Sequence, residues 1–225
     1  MVGKRLLLLN GSPRKKGTSA TFARTIGLLA LDQGCIVENE HVIDFFDHRR
    51  SLQDLREQLA DADVIGLCMP LYYDTVPGIV VWLFEQIWQG MPGVLKGKTI
   101  FAVSQSAYPF TRLNEPALEV CRCFAEAVGA RWAGGLGYGG GVLINGAHLD
   151  EYGQKGQKLI EAFDLALTDV LAGRIIAKEP QALMETKIPR FVLPLFALGL
   201  NWMIRRDAKR HGVSPDLGGQ VYLHS

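Results

Sequence analysis

The sequence predicts a doubly wound α/β domain, a five-stranded parallel sheet with helices on both faces, followed by a C-terminal helical extension. Three observations carry this reading. Short apolar runs alternate along the chain with longer stretches of helical period. Several of those runs are continuously apolar rather than alternating, the pattern of parallel strands covered on both sides. With 225 residues, 48% of them hydrophobic and 21% charged, the chain can bury a core without staples.

Each element has a local reason. Arg5–Asn10 (RLLLLN) is an apolar run stopped by Asn10-Gly11-Ser12-Pro13, a turn signal, and reads as a buried strand. Residues 19–34 place Phe22, Ile26, Leu29 and Ala30 on one helical face. Residues 35–43 mix β-branched and charged positions and read as an edge strand. Ser51 and Asp54 form a capping box ahead of Leu52, Leu55 and Leu59. Residues 64–69 (VIGLCM) and 99–104 (TIFAVS) are further buried strands. Between them, 78–89 carries Ile79, Val80, Leu83, Phe84 and Ile87 at helical spacing. A helix over 114–128, a glycine-rich fifth strand over 132–138 and a long helix over 150–172 complete the alternation. Right-handed crossovers then give one open sheet. The expected organisation is one domain over 1–172, a linker over 173–189, and an apolar helical tail that is not an independent domain.

Charge and cysteine content narrow the function. Lys and Arg number 24 against 23 Asp and Glu, so the formal charge of +1 gives no overall field for nucleic acid. Four cysteines are too few for a disulfide scaffold, and no secretory signal is legible, which points to the cytoplasm. The five histidines show no ligand spacing. Cys121 and Cys123 lie two apart on a helix, facing different ways, so no metal site is expected.

In doubly wound sheets, ligands sit beyond the carboxyl ends of the strands. The loops over 10–18, 70–77 and 105–113 are therefore the candidates. In the first, the N–H groups of a helix start face an anion, Ser12, Thr18 and Ser19 add hydroxyls, and Arg14 adds a charge. A P-loop needs a second Gly after four intervening residues. Counting from Gly11, that place is Lys16, so a phosphate monoester fits better than a nucleoside triphosphate. The plainer alternative is a βα turn with a Thr18 or Ser19 cap. The second loop, Pro70-Leu71-Tyr72-Tyr73-Asp74-Thr75-Val76-Pro77, is stiffened by two prolines and offers two tyrosines to a flat ring. The third repeats the theme with Ser104, Gln105, Ser106 and Tyr108.

LLLLNGSPRKKGTSATF followed by ADVIGLCMPLYYDTVPGIVVWLFEQI resembles the flavodoxin-like NAD(P)H-dependent FMN reductase family, with its quinone-reductase and iron–sulfur relatives, over about residues 3–170. The resemblance implies that Ser12, Arg14, Thr18 and Ser19 hold the FMN phosphate. It implies that Pro70, Leu71, Tyr72, Tyr73 and Asp74 border the isoalloxazine, and that Ser104, Gln105, Ser106 and Tyr108 close its other side. The chain departs from the family at Val81, where Lys is frequent, and at Glu85-Gln86, where an Asp-Arg pair is common. It also lacks the compact cysteine cluster of the iron–sulfur relatives. The implied activity is ping-pong hydride transfer from NAD(P)H through FMN to a small acceptor such as a quinone or flavin. No side-chain acid or base is needed, so no catalytic residue is named. A flavodoxin-type electron carrier without turnover is the alternative.

Two segments stand apart. Gly135 to Gly140 matches GxGxxG but is not in a leading βαβ unit, so close backbone neighbours in a strand, ending in a mobile loop, are expected. Residues 191–204 (FVLPLFALGLNWMI) carry no charge and lie between Arg190 and Arg205-Arg206. This run is too short to span a bilayer. It is expected to pack on folded protein, foremost across a homodimer near the flavin slot, with the parent core and a peripheral membrane surface as the other candidates.

Overall fold

The computed structural model describes residues 3–185, 193–210 and 212. The chain divides into two compact units, Met1–Thr186 and Lys187–Ser225. In the first, five parallel strands lie in the order β2-β1-β3-β4-β5: β1 (Arg5–Asn10), β2 (Ile36–His41), β3 (Val64–Pro70), β4 (Thr99–Ser106) and β5 (Arg131–Gly139). The chain leaves β1 for β2 on one side and then returns to β3 on the other. The crevice at this reversal is where such sheets take ligands.

Strand periodicity sorts the core into two layers. Leu6 and Leu8 of β1, with Val64, Cys68, Phe101 and Val103, face helices α1 (Thr18–Asp32) and α6 (Gly153–Leu171) through Phe22, Ile26, Leu159 and Phe163. Leu7 and Leu9, with Ile65, Leu67 and Met69, face α3 (Leu52–Asp61), α4 (Gly78–Gly90) and α5 (Glu115–Ala127). Helices cover both sheet faces because both faces of each central strand are apolar. Gly66 has a packing reason: a Cβ there would meet Phe101 Cζ at 2.5 Å and Leu8 Cδ2 at 2.6 Å.

The expected capping box is present. The Asp54 N–H donates to Ser51 Oγ at 3.0 Å and the Ser51 N–H to Asp54 Oδ2 at 3.4 Å. Two stretches differ from expectation. Residues 42 and 43, expected to end the edge strand, instead open a short helix α2 (Val42–Phe46), because Val42 and Phe45 turn inward to full burial. The stretch expected as a linker holds α7 (Lys178–Met184), with Pro180 and Met184 buried. The Gln181 amide of α7 donates to Gly137 O at 2.9 Å and accepts from Gly137 N–H at 2.8 Å. It thereby pairs part of the β5 edge that a neighbouring strand would otherwise take. In the second unit, α8 (Leu193–Arg210) is the tail helix.

Phe22 joins α1 to β5 and α6, with ring centroids 5.6 Å from Tyr138 and 5.0 Å from Phe163, both edge-on. It is fully buried. Phe22→Ala should cost about 3–5 kcal/mol, measured as a loss of unfolding free energy in a denaturant titration.

Candidate functional site

The first loop is built around Asn10, which is buried at the end of β1. Its Oδ1 accepts the Ser12 N–H at 3.2 Å, and its Nδ2 donates to Arg14 O at 3.1 Å. Nδ2 also lies 2.9 Å from His41 Nδ1. Burial pushes the His41 pKa down, and Lys15 acts the same way against Asp44 and Glu40. With the Asn10 amide as donor, His41 Nδ1 is the acceptor of this pair. Ser12 Oγ accepts the Arg14 N–H at 3.1 Å, and the Gly11 N–H donates to Cys68 O at 2.8 Å, fixing the loop to β3.

Helix α1 starts behind this loop without a side-chain cap; its N-cap is Gly17 in extended conformation. The first-turn N–H groups are therefore left for an anion. Ser19, 2% exposed, lines the crevice and its Oγ has no hydrogen-bond partner. A buried hydroxyl without a partner is costly and calls for a ligand atom or water. Thr18 differs from expectation: its hydroxyl is committed to Gly141 O at 2.6 Å. Lys15 is also committed, to Asp44 at 2.5 Å. Asp44, in the first turn of α2, and Asp47, its C-cap, are also ion-pair partners: Arg49 reaches Asp44 at 3.6 Å and Asp47 at 3.2 Å.

The second loop is a tight turn. Tyr72 and Thr75 exchange backbone hydrogen bonds of 3.0 and 3.1 Å, and the two residues between them have positive φ, 49° at Tyr73 and 59° at Asp74. Left-handed backbone at both central positions is the geometry of a two-residue hairpin turn that favours Gly and Asn. A non-glycine residue there stores about 1–3 kcal/mol, and such outliers cluster at ligand clamps. The turn swings Tyr73 fully into solvent and leaves Tyr72 at 42% exposure on the crevice wall.

Strand β4 runs to Ser106, so Gln105 and Ser106 are strand residues rather than loop residues. The fourth wall comes from the segment after β5, where a short 3-10 turn (Gly141–Leu143) leads to Asn145 and Gly146. The crevice enclosed by these walls measures about 250 Å³. Of the residues singled out from sequence, Ser12, Arg14, Thr18, Ser19, Pro70, Leu71, Tyr72 and Gln105 line it. Tyr73, Asp74, Ser104, Ser106 and Tyr108 are not among its lining residues. Ser104 is buried behind the wall and donates to Asn114 Oδ1 at 2.9 Å, while Ser106 donates to Tyr108 O at 3.0 Å. Tyr108 is exposed.

Gly17 and Ala107, which lie in the loops named from sequence, also line the crevice, as do two residues outside those loops, Val142 and Asn145. The rule that ligands gather at strand carboxyl ends applies to β5 as well, and would have found the last two. The close neighbours expected along β5 are present, since a Cβ on Gly135 or Gly137 would meet Leu118 Cδ2 at 2.7 Å or Thr111 O at 2.8 Å. Among the described residues no helix is long and apolar enough to cross a membrane.

The sheet order and the crevice at its reversal define a doubly wound α/β protein of the kind that binds ligands beyond β1 and β3. The family model for NADPH-dependent FMN reductase matches residues 4–124, and the chain belongs to that family. It is an oxidoreductase that uses FMN, with NAD(P)H as co-substrate. A search of curated proteins gives no match. Among solved structures it is similar to NADH:FMN oxidoreductase (EMOB) in its apo form, at 16% identity and a TM-score of 0.58, over 84% of this chain and 98% of that one. It is also similar to RosB with bound 8-demethyl-8-formylriboflavin-5'-phosphate, at 12% identity and a TM-score of 0.59, over 99% and 93% of the two chains. A third is the NADPH-quinone reductase from P. pentosaceus, at 15% identity and a TM-score of 0.52, over 74% and 98%. At these identities the likeness is one of fold.

The Asp44–Lys15 pair sets an acid limit on the loop. Burial pushes the Asp44 carboxyl up, but the Lys15 hydrogen bond and charge, with His41 and Arg49, outweigh it and hold the pKa below the usual value. Its contribution is therefore full above the unfolded carboxyl value of about 3.9 and is lost as pH falls through the lower folded value. Asp44→Asn should reduce stability at neutral pH, and the difference from the wild type should shrink as pH falls below the unfolded carboxyl value of about 3.9, as read by urea unfolding across that range.

Proposed function

We propose that the crevice between the first loop, the Tyr72–Thr75 turn, the end of β4 and the segment after β5 is the FMN site, and that it serves two substrates in turn. The observation that carries the reading is the unpartnered Ser19 Oγ beside the uncapped start of α1. Those donors match a phosphate monoester. Ser12, Arg14 and Ser19 would hold it through side chains, and Thr18 through its amide, because its hydroxyl is engaged. Pro70, Leu71 and Tyr72 would border one side of the isoalloxazine and Gln105 the other. Tyr73, Asp74 and Tyr108 would stand at the rim, and Ser104 and Ser106 would shape the wall from behind.

Bound there, FMN supplies a redox centre that takes hydride from a nicotinamide nucleotide and reduces a small acceptor, a quinone or a flavin, in ping-pong order. The chain's part is to fix the phosphate, present ring edges to backbone donors and leave one ring face open. We include a homodimer in the cytoplasm in this reading. Val81 and Trp88 on α4 and the fully exposed Tyr73 offer apolar surface that a second copy can cover.

Steady-state NADPH oxidation with a quinone acceptor tests the activity. Parallel double-reciprocal lines support the ping-pong order, and absence of turnover without an added reductase would mark an electron carrier instead. A hydrogen bond to a charged group contributes about 1.5–3 kcal/mol. Arg14→Ala should therefore weaken FMN roughly 10- to 150-fold in a fluorescence titration, with riboflavin affinity nearly unchanged. Equal loss for both flavins would separate Arg14 from the phosphate. Ser19→Ala should act with opposite signs on two measurements. It should raise the thermal stability of the apoprotein, by relieving a buried unpartnered hydroxyl, and lower FMN affinity.

A further inference from the structure

We propose that helix α8 is an interfacial membrane anchor: it lies along an anionic lipid surface, sinks its apolar length into the acyl boundary, and seats basic clusters at both ends among the headgroups. Four observations converge on this partner. The first is exposure of apolar side chains among the described residues of the helix. Leu198 is 66% exposed, Trp202 63%, Met203 44% and Ile204 41%. At about 100° per residue, Trp202, Met203 and Ile204 stand roughly 40°, 140° and 240° around the helix from Leu198. A helix lying in the headgroup–acyl boundary meets apolar solvent over a broad face, which suits apolar side chains on several bearings better than the single stripe that a groove on folded protein covers.

Length is the second. The charge-free run is 14 residues, 191–204. Apolar runs of about 10–14 residues are core helices or interfacial segments, and the exposed side chains are not those of a core helix.

Charge is the third. Between residues 187 and 210 the chain places Lys187, Arg190, Arg205, Arg206, Lys209 and Arg210 against Asp207 alone. That takes six of its 24 basic residues and one of its 23 acidic ones, leaving 18 basic against 22 acidic elsewhere. The near-neutral total hides a strongly basic tail, and basic residues flanking an apolar segment favour anionic lipid. A nucleic acid would use those cations and leave the apolar run in water. The fourth is the boundary itself. The Arg206 guanidinium lies 5.2 Å from the centre of the Trp202 ring. Trp and Arg together at the end of an apolar run mark the headgroup level. At 1.5 Å per residue the charge-free run reaches about 21 Å, short of a bilayer core of about 30 Å, so the helix lies along the surface rather than crossing it.

Co-sedimentation of the FMN-loaded full chain with vesicles tests this. Expected is sedimentation with vesicles of phosphatidylcholine containing anionic phosphatidylglycerol, weak sedimentation with phosphatidylcholine alone, and release on raising salt. L198E/W202E should stay in the supernatant while keeping bound flavin and NADPH oxidation. R205Q/R206Q, which leaves the apolar run intact, should weaken partitioning about 30-fold, the effect of two juxtamembrane cations. No sedimentation of the wild type at low salt with either vesicle overturns the proposal. Light scattering that shows a wild-type dimer split by L198E/W202E, with no vesicle binding, assigns the run to a contact between copies and also overturns it.

Discussion

Strand β1 carries four consecutive leucines, and alternate ones must be buried on opposite faces of the sheet. That single requirement organises the first unit. Leu6 and Leu8 demand α1 and α6 on one side, and Leu7 and Leu9 demand the helix layer of α3 and α4 on the other. With both faces occupied, the chain must leave β1 toward β2 and come back to β3 across it. The reversal forces two successive crossovers apart, and the gap they leave at the carboxyl edge is the crevice. The site is a consequence of covering the sheet, and the residues around it refine a space that the topology already opens.

Within that space the polar groups fall into two kinds. Some are fully spent on the protein: Asn10 on the Ser12 N–H and Arg14 O, Thr18 on Gly141 O, Ser104 on Asn114. They make the loop rigid before any ligand arrives, which lowers the ordering cost of binding. Others are held in place but left open, above all Ser19 Oγ and the first-turn amides of α1. A site built this way has its recognition atoms fixed by neighbours that take no part in recognition. The left-handed pair at Tyr73 and Asp74 adds backbone strain at the rim, held by the Tyr72–Thr75 hydrogen bonds.

The second unit follows different physics. Its helix carries an apolar run without charge, with cations beyond it. Anchoring at a lipid surface would hold the reductase near acceptors that partition into lipid.

The sheet, its two helix layers and the loops that face the crevice were legible because each rests on a local signal. Continuous apolar runs encode strands buried on two faces, helical spacing encodes the covering faces, and Ser51-x-x-Asp54 encodes a cap. The first loop was legible for the same reason, since glycine, hydroxyls and Arg14 stand directly before a helix. Other features depend on contacts between residues far apart in the chain. The Thr18 hydroxyl is engaged by Gly141 and Lys15 by Asp44, and the edge of β5 is covered by Gln181. Tyr73 is turned outward by a hydrogen-bonded turn that the dipeptide Tyr-Asp does not announce. Sequence by itself determined which residue types reach the carboxyl edge, because strand period and loop position are local. Tertiary structure alone decided which of them remain free to bind, because a hydrogen bond spent on a distant partner is invisible until that partner is beside it.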